Sequence, residues 1–121
     1  MLAIPPAQDT DCCTTSAEAL EFDTSFELKV DKDCVVSGLC VYFDTFFAKI
    51  PNAVEFSTGP KATPTHWKQT LFYLEKPVSL KAGESLVGKM KACRHREYHR
   101  SWHVQIKYTS GSEEMKQTYK V

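Results

Sequence analysis

The sequence predicts an all-β fold, an antiparallel barrel or sandwich with jelly-roll-like connections. Three observations carry this reading. Apolar residues recur with period 2 along most of the chain, turn residues punctuate it at short intervals, and no segment sustains a 3.6-residue apolar period. With 121 residues and 42% apolar content, one domain can bury a core without disulfide or metal staples. A globule of this size hides roughly 65% of its unfolded surface.

The elements follow in order. Phe22, Thr24, Phe26, Leu28 and Val30 alternate with charged Glu21, Asp23, Glu27, Lys29 and Asp31, the pattern of a half-buried strand. Cys34 to Phe47 is almost continuously apolar around Gly38 and is expected to be a central strand covered on both faces. A Ser-, Thr-, Gly- and Pro-rich loop from Ser57 to Pro64 delivers the chain to Thr65-His66-Trp67. A strand is then expected over Gln69–Leu74 and a short one over Pro77–Leu80. Lys81-Ala82-Gly83-Glu84 reads as a turn, followed by a strand with Leu86, Gly88, Met90 and Ala92 on one face. Polar residues 94–100 read as a hairpin tip. Trp102, Val104, Ile106 and Tyr108 alternate with His103, Gln105 and Lys107. Ser110-Gly111-Ser112 turns the chain into Met115, Gln117, Tyr119 and Val121.

Charge and cysteine content narrow the function classes. Fifteen basic and fifteen acidic residues cancel, whereas a nucleic-acid binder carries a visible basic excess, so no direct nucleic-acid partner is expected. Residues 1–60 hold ten acidic and three basic residues, and residues 61–121 hold five and twelve. An antiparallel fold would pair these halves through opposite charges, or an acidic face would draw a cationic partner. MLAIPPAQD lacks a signal peptide's basic start, and no run approaches the roughly 18 apolar residues of a membrane span. Five cysteines in no framework fit a reducing compartment, so a cytoplasmic or nuclear chain with no membrane partner is expected.

Candidate chemistry is sparse. There is no Gly-rich phosphate or dinucleotide loop, no G-x-S-x-G, no H-E-x-x-H and no C-x-x-C. Cys93, His95, His99 and His103 are zinc-ligand types at close spacing; they form either a surface zinc site or a solvated hairpin whose histidines cluster. Lys89, Lys91, Arg94, Arg96 and Arg100 add a local basic patch, suited to phosphate or an acidic protein surface or simply to water. Cys12, Cys13, Cys34 and Cys40 read as core or strand residues, and Cys93, beside Arg94, as the one candidate reactive thiol. A cupin-like metal enzyme would need a His-x-His pair with a carboxylate, which the chain lacks.

The informative segment runs from Phe56 to Thr70. Thr65-His66-Trp67-Lys68-Gln69-Thr70 resembles the threonine-histidine-tryptophan loop of the protein arginine N-methyltransferases. FSTGP at 56–60, LEKP at 74–77, KAGE at 81–84, DCCTTSAEALEF at 11–22 and QTY at 117–119 are similar to the zinc-finger-bearing type I member of that family. The resemblance covers the chain from about residue 9, leaving residues 1–8 poorly matched and 9–121 as a β-barrel domain. It implies the C-terminal barrel, with the S-adenosylmethionine (SAM)-binding domain and dimerisation arm absent and no cofactor held by this chain. SAM would be the cofactor of the parent enzyme, a homodimer acting on arginine/glycine-rich proteins.

Two roles come with the resemblance. His66 corresponds to the catalytic loop histidine, which pairs with an acidic residue of the SAM-binding domain, and Trp67 to the tryptophan at the arginine pocket; Thr65 supports substrate binding through the loop's geometry. A planar indole suits guanidinium, and an imidazole held by a carboxylate orders charge around a cleft. The chain alone is expected to be inactive. The alternative is a non-enzymatic β-barrel interaction module or truncated isoform.

Overall fold

The computed structural model describes residues 8–121, so the expectation for residues 1–7 lies outside the described residues. Period-2 alternation becomes eight strands: β1 Phe22–Lys29, β2 Cys34–Val41, β3 Asp44–Phe47, β4 Val54–Ser57, β5 Thr70–Leu80, β6 Ser85–Arg94, β7 Trp102–Ser110 and β8 Glu113–Lys120. A single 3-10 turn, Glu18–Leu20, precedes them. No helix among the described residues is long and apolar enough to cross a membrane. The fold is all-β, as the sequence predicts.

Pairing is nested. β1 pairs with β6, β2 with β5 and β3 with β4, and β7 and β8 extend the outer sheet in the order β1-β6-β7-β8. Nested pairing of this kind is the strand connectivity of a jelly roll. The chain divides into two compact units, residues 1–37 with 75–121, and residues 38–74.

In the first unit, side chains alternate across the four-stranded sheet. Phe26 and Leu28 of β1, Leu86, Met90 and Ala92 of β6, and Val104, Ile106 and Tyr108 of β7 are buried. The register stacks them: Met90 opposes Ile106 and Ala92 opposes Val104. Sliding one strand by a residue would turn this whole set toward water, so burial fixes the register. Two glycines close the sheet's turns with positive φ, Gly83 at 89° and Gly111 at 63°, a region where a Cβ is strained.

β5 runs without interruption through Pro77, where the sequence suggested two strands. The backbone N–H groups of Glu75 and Lys76 are satisfied by side chains. Gln117 Oε1 accepts from Glu75 at 2.9 Å, and the Tyr108 hydroxyl accepts from the Lys76 N–H and donates to the Lys76 carbonyl, both at 3.1 Å. β5 also lies at the edge of its two-stranded sheet. A proline next to side-chain-bonded residues on an edge strand costs little, because few ladder bonds are at stake there.

The expected central strand from Cys34 to Phe47 is corrected to β2 and β3 with a break at Tyr42–Phe43. It is not covered on both faces: Val35, Phe43, Phe46 and Phe47 are exposed. The break has a local cause. Thr58 clasps Phe43, its hydroxyl accepting from the Phe43 N–H at 3.0 Å and donating to the Phe43 carbonyl at 2.9 Å, while its own N–H donates to that carbonyl at 3.0 Å. Backbone groups engaged this way leave the ladder. Beyond the break, β3 pairs with β4, a strand that the sequence pattern did not predict.

Candidate functional site

The site is built within residues 38–74, on the β3–β4 hairpin and the loop between β4 and β5. In the hairpin Asp44 opposes Ser57, Thr45 opposes Phe56, Phe46 opposes Glu55 and Phe47 opposes Val54. Opposed residues share a face, so Asp44, Phe46, Glu55 and Ser57 lie on one side and Thr45, Phe47, Val54 and Phe56 on the other. Thr58 follows β4 and is only 2% exposed. The loop then turns at Gly59, whose N–H donates to Ser57 Oγ at 3.0 Å and whose carbonyl accepts from the Ala62 N–H at 3.0 Å. A Cβ at Gly59 would stand 2.9 Å from the Tyr42 ring, so only glycine fits this close approach.

The loop's far end carries the three predicted site residues, and the structure brings them together. The Thr65 hydroxyl donates to the Trp67 carbonyl at 3.0 Å, and the Gln69 side chain donates to the Thr58 carbonyl, which ties the end of the loop to its start. Trp67 stacks on Phe56 with centroids 5.4 Å apart and planes 15° apart. Phe43 meets the indole edge-on at 5.9 Å and 77°. The His66 ring lies 3.7 Å from the indole, tilted by 36°. Such pairs add stabilisation beyond area burial. The cluster is braced yet open: Trp67 keeps 46% of its surface exposed, and His66 is exposed.

The hairpin also carries a hollow of about 260 Å³ lined by Asp44, Phe46, Glu55, Phe56 and Ser57. Four of these residues share one hairpin face, whereas the Phe56 ring stacks on Trp67 at the other. The half-exposed indole offers a flat aromatic face of the kind that favours a planar cation, and the carboxylates of Asp44 and Glu55 lie on the hairpin's other face. Sequence reasoning missed Phe43, Asp44 and Glu55 and gave no role to Phe56, Thr58 and Gln69 of the quoted strings, because what joins them is the β3–β4 register and the Thr58 clasp.

The structure brings part of the Cys93/His95/His99/His103 cluster together. Cys93 and His103 are directly opposed on β6 and β7, and the His95 and His103 rings lie 5.0 Å apart. Yet His95 Nδ1 accepts the backbone N–H groups of Glu97 and Tyr98, both at 3.2 Å. That fixes the proton on Nε2, the nitrogen a metal would need. Among the described residues no three His, Cys, Asp or Glu side chains converge on a metal position. All five cysteines are free thiols. Cys34 and Cys40 sit half-buried in β2 as expected, whereas Cys12 and Cys13 are exposed in a turn where the Asp11 carboxylate accepts the Cys13 N–H, a correction to their reading as core or strand residues.

Comparison with known proteins gives the same family as the loop. The model of the arginine methyltransferase oligomerization subdomain matches residues 7–113. Protein arginine N-methyltransferase 1 of Dictyostelium discoideum is 34% identical over 113 residues, 88% of this chain and 33% of the relative. The protein of the same name from Schizosaccharomyces pombe is 36% identical over 101 residues, covering 84% and 30%. Protein arginine N-methyltransferase 8-B of Danio rerio is 37% identical over 83 residues, covering 69% and 20%. The chain thus spans about a third or less of the length of these relatives. Among solved structures, a chain of the Trypanosoma brucei PRMT1 enzyme–prozyme heterotetrameric complex with AdoHcy superposes with a TM-score of 0.85 at 27% identity, covering 93% of this chain and 37% of that one. These relatives do not support the expected nearness to the zinc-finger-bearing member. The matched model, spanning nearly the whole described chain, establishes that the protein belongs to the arginine methyltransferase family as its C-terminal oligomerization subdomain.

Proposed function

We propose that this chain forms one wall of the arginine-substrate cleft of a SAM-dependent protein arginine N-methyltransferase, the other wall being a SAM-binding domain outside these residues. The observation that carries the reading is the braced, half-exposed Trp67 at the end of the clasped loop. A guanidinium is held by an aromatic plane and by opposite charge. Arg-Gly-rich protein segments supply that group, and Asp44 and Glu55 draw their cationic flanks.

In this reading SAM supplies an electrophilic methyl from its own domain, since this chain has no Gly-rich turn to cradle a nucleotide. The chain's residues act on the acceptor. Trp67 holds the guanidinium flat so that one nitrogen faces the methyl. His66, exposed beside the indole, pairs with a carboxylate of the SAM-binding domain and fixes charge at the mouth of the cleft. Thr65 holds the Trp67 carbonyl and so sets the indole's direction. Positioning and fixed charge are the two levers of such a transfer. Assembly as a homodimer with that domain, in cytoplasm or nucleus, completes the reading.

The test is methyl transfer from labelled SAM to an Arg-Gly-rich peptide. The chain alone, the chain mixed with a separately expressed SAM-binding domain and arm, and the same mixture with His66→Ala are compared. Activity only in the mixture, weakened about tenfold or more by His66→Ala, is the expected outcome. Activity of the 121 residues alone contradicts the division of labour. The exposed apolar hairpin residues Phe46, Phe47 and Val54 favour a second reading, a non-enzymatic interaction module. Silence in every mixture with a folded β spectrum selects it.

A further inference from the structure

The outward face of the four-stranded sheet carries a row of like charges that the strand register forces together. Lys89 of β6 is directly opposite Lys107 of β7, and Lys107 is directly opposite Lys116 of β8. Neighbouring strands lie about 4.8 Å apart, so three ammonium stems stand side by side across roughly 10 Å. Lys91, His103 and Lys120 lie on the same face, since Lys91 is two residues from Lys89 and His103 opposes Lys120. Lys89, Lys91, His103, Lys116 and Lys120 are exposed. Among the described residues Lys107 has a long contact with Glu114 at 3.9 Å, and Lys89, Lys91 and Lys116 have no ion pair.

Like charges directly opposite in a sheet are destabilising. They cannot slip apart, because the buried pairs Met90–Ile106 and Ala92–Val104 on the other face fix the same register. The sheet therefore presents a concentrated positive potential in a protein of zero net charge, the condition that steers an anionic partner.

We infer that this face is a docking surface for a short acidic protein segment. Two features favour carboxylates over a nucleic-acid strand. The face's cations are lysines and a histidine, without the forked guanidinium that grips phosphate in two bonds. Asp23 and Glu27 of β1, opposite Lys91 and Val87, and Glu114 of β8, opposite Thr109, bound the patch. They admit a segment of a few carboxylates and repel a continuous polyanion running past. The inference is independent of the cleft reading and uses none of its residues.

Fluorescence anisotropy of dye-labelled hexaglutamate, titrated with the 121-residue chain at low salt, tests it. Binding is expected that weakens with added salt, is absent for hexaglutamine, and falls about tenfold or more in the triple variant Lys89→Gln, Lys107→Gln, Lys116→Gln. Because the substitutions remove repulsion, that variant should melt at or above the wild-type temperature, which shows that it is folded. A second triple variant, Lys32→Gln, Lys61→Gln, Lys81→Gln, removes the same charge elsewhere and should leave binding within about twofold. Absence of hexaglutamate binding, equal binding by the first variant, equal loss in the second, or tighter binding of an oligouridylate of the same length would each overturn the inference.

Discussion

Gly88 and Thr58 each owe their identity to one neighbour. A Cβ at Gly88 would collide with the Phe26 ring and stand 2.5 Å from the Lys107 carbonyl, inside the best-packed part of the sheet. Gly88→Ala is expected to destabilise the chain by about 1–3 kcal/mol, the usual range for overpacking, as read from the urea midpoint. Adding Phe26→Leu should restore only part of this, because the carbonyl contact remains. Thr58 is different, since its side chain replaces a missing piece of ladder. Thr58→Val keeps the shape but leaves the Phe43 N–H without its acceptor, an expected loss of about 1–3 kcal/mol. Hydrogen exchange should report it locally, with protection lost at Phe43 first. An unchanged Phe43 exchange rate would mean that the clasp does not hold the strand break.

Among the elements, the β6–β7 hairpin carries a pH dependence of definite sign. The tip is held by His95 Nδ1, which accepts two backbone N–H groups and can do so only while unprotonated. Partial desolvation, then the charges of His103 and Lys120, hold the His95 pKa below the ordinary histidine value. The folded tip therefore binds a proton less readily than the unfolded chain. Its contribution is complete above the ordinary histidine range and is lost as the pH falls through the lowered folded-state value. An NMR titration should find His95 titrating below a free histidine, with protection of the Glu97 and Tyr98 amides lost at the same midpoint. A midpoint above that of free histidine contradicts the geometry. How far the elements were legible differs with what defines them. β1 and β7 follow from alternation alone, because one of their faces meets water. The break at Tyr42–Phe43 was hidden, since it depends on a threonine fifteen residues away. β4 escaped notice because four residues are too few for a period to register. The Thr65-His66-Trp67 loop could be read from its string, but its aromatic bracing and the lysine row depend on register, which composition does not encode.

For the molecule as a whole, the nested pairing places the shortest strands innermost in the sequence order, and these are also the least covered. β3 and β4 have four residues each, and a two-stranded hairpin of that length is marginal in water. Its side chains do not hide themselves: Phe46 is 66% exposed, Val54 52%, Phe47 49% and Ile50 47%. Apolar residues gathered on one hairpin mark a surface that another surface covers, which in the cleft reading is the SAM-binding domain. In isolation the chain has only copies of itself for that purpose. We therefore expect the 121-residue protein to self-associate, its mass by light scattering rising across a concentration series. Phe46→Ser with Phe47→Ser should hold it at the monomer mass without lowering the melting temperature of the outer sheet, because neither residue belongs to β1, β6, β7 or β8. A wild-type mass that stays monomeric over the whole series would mean that these side chains are tolerated in water, and it would remove the apolar hairpin as a reason to place a second domain there.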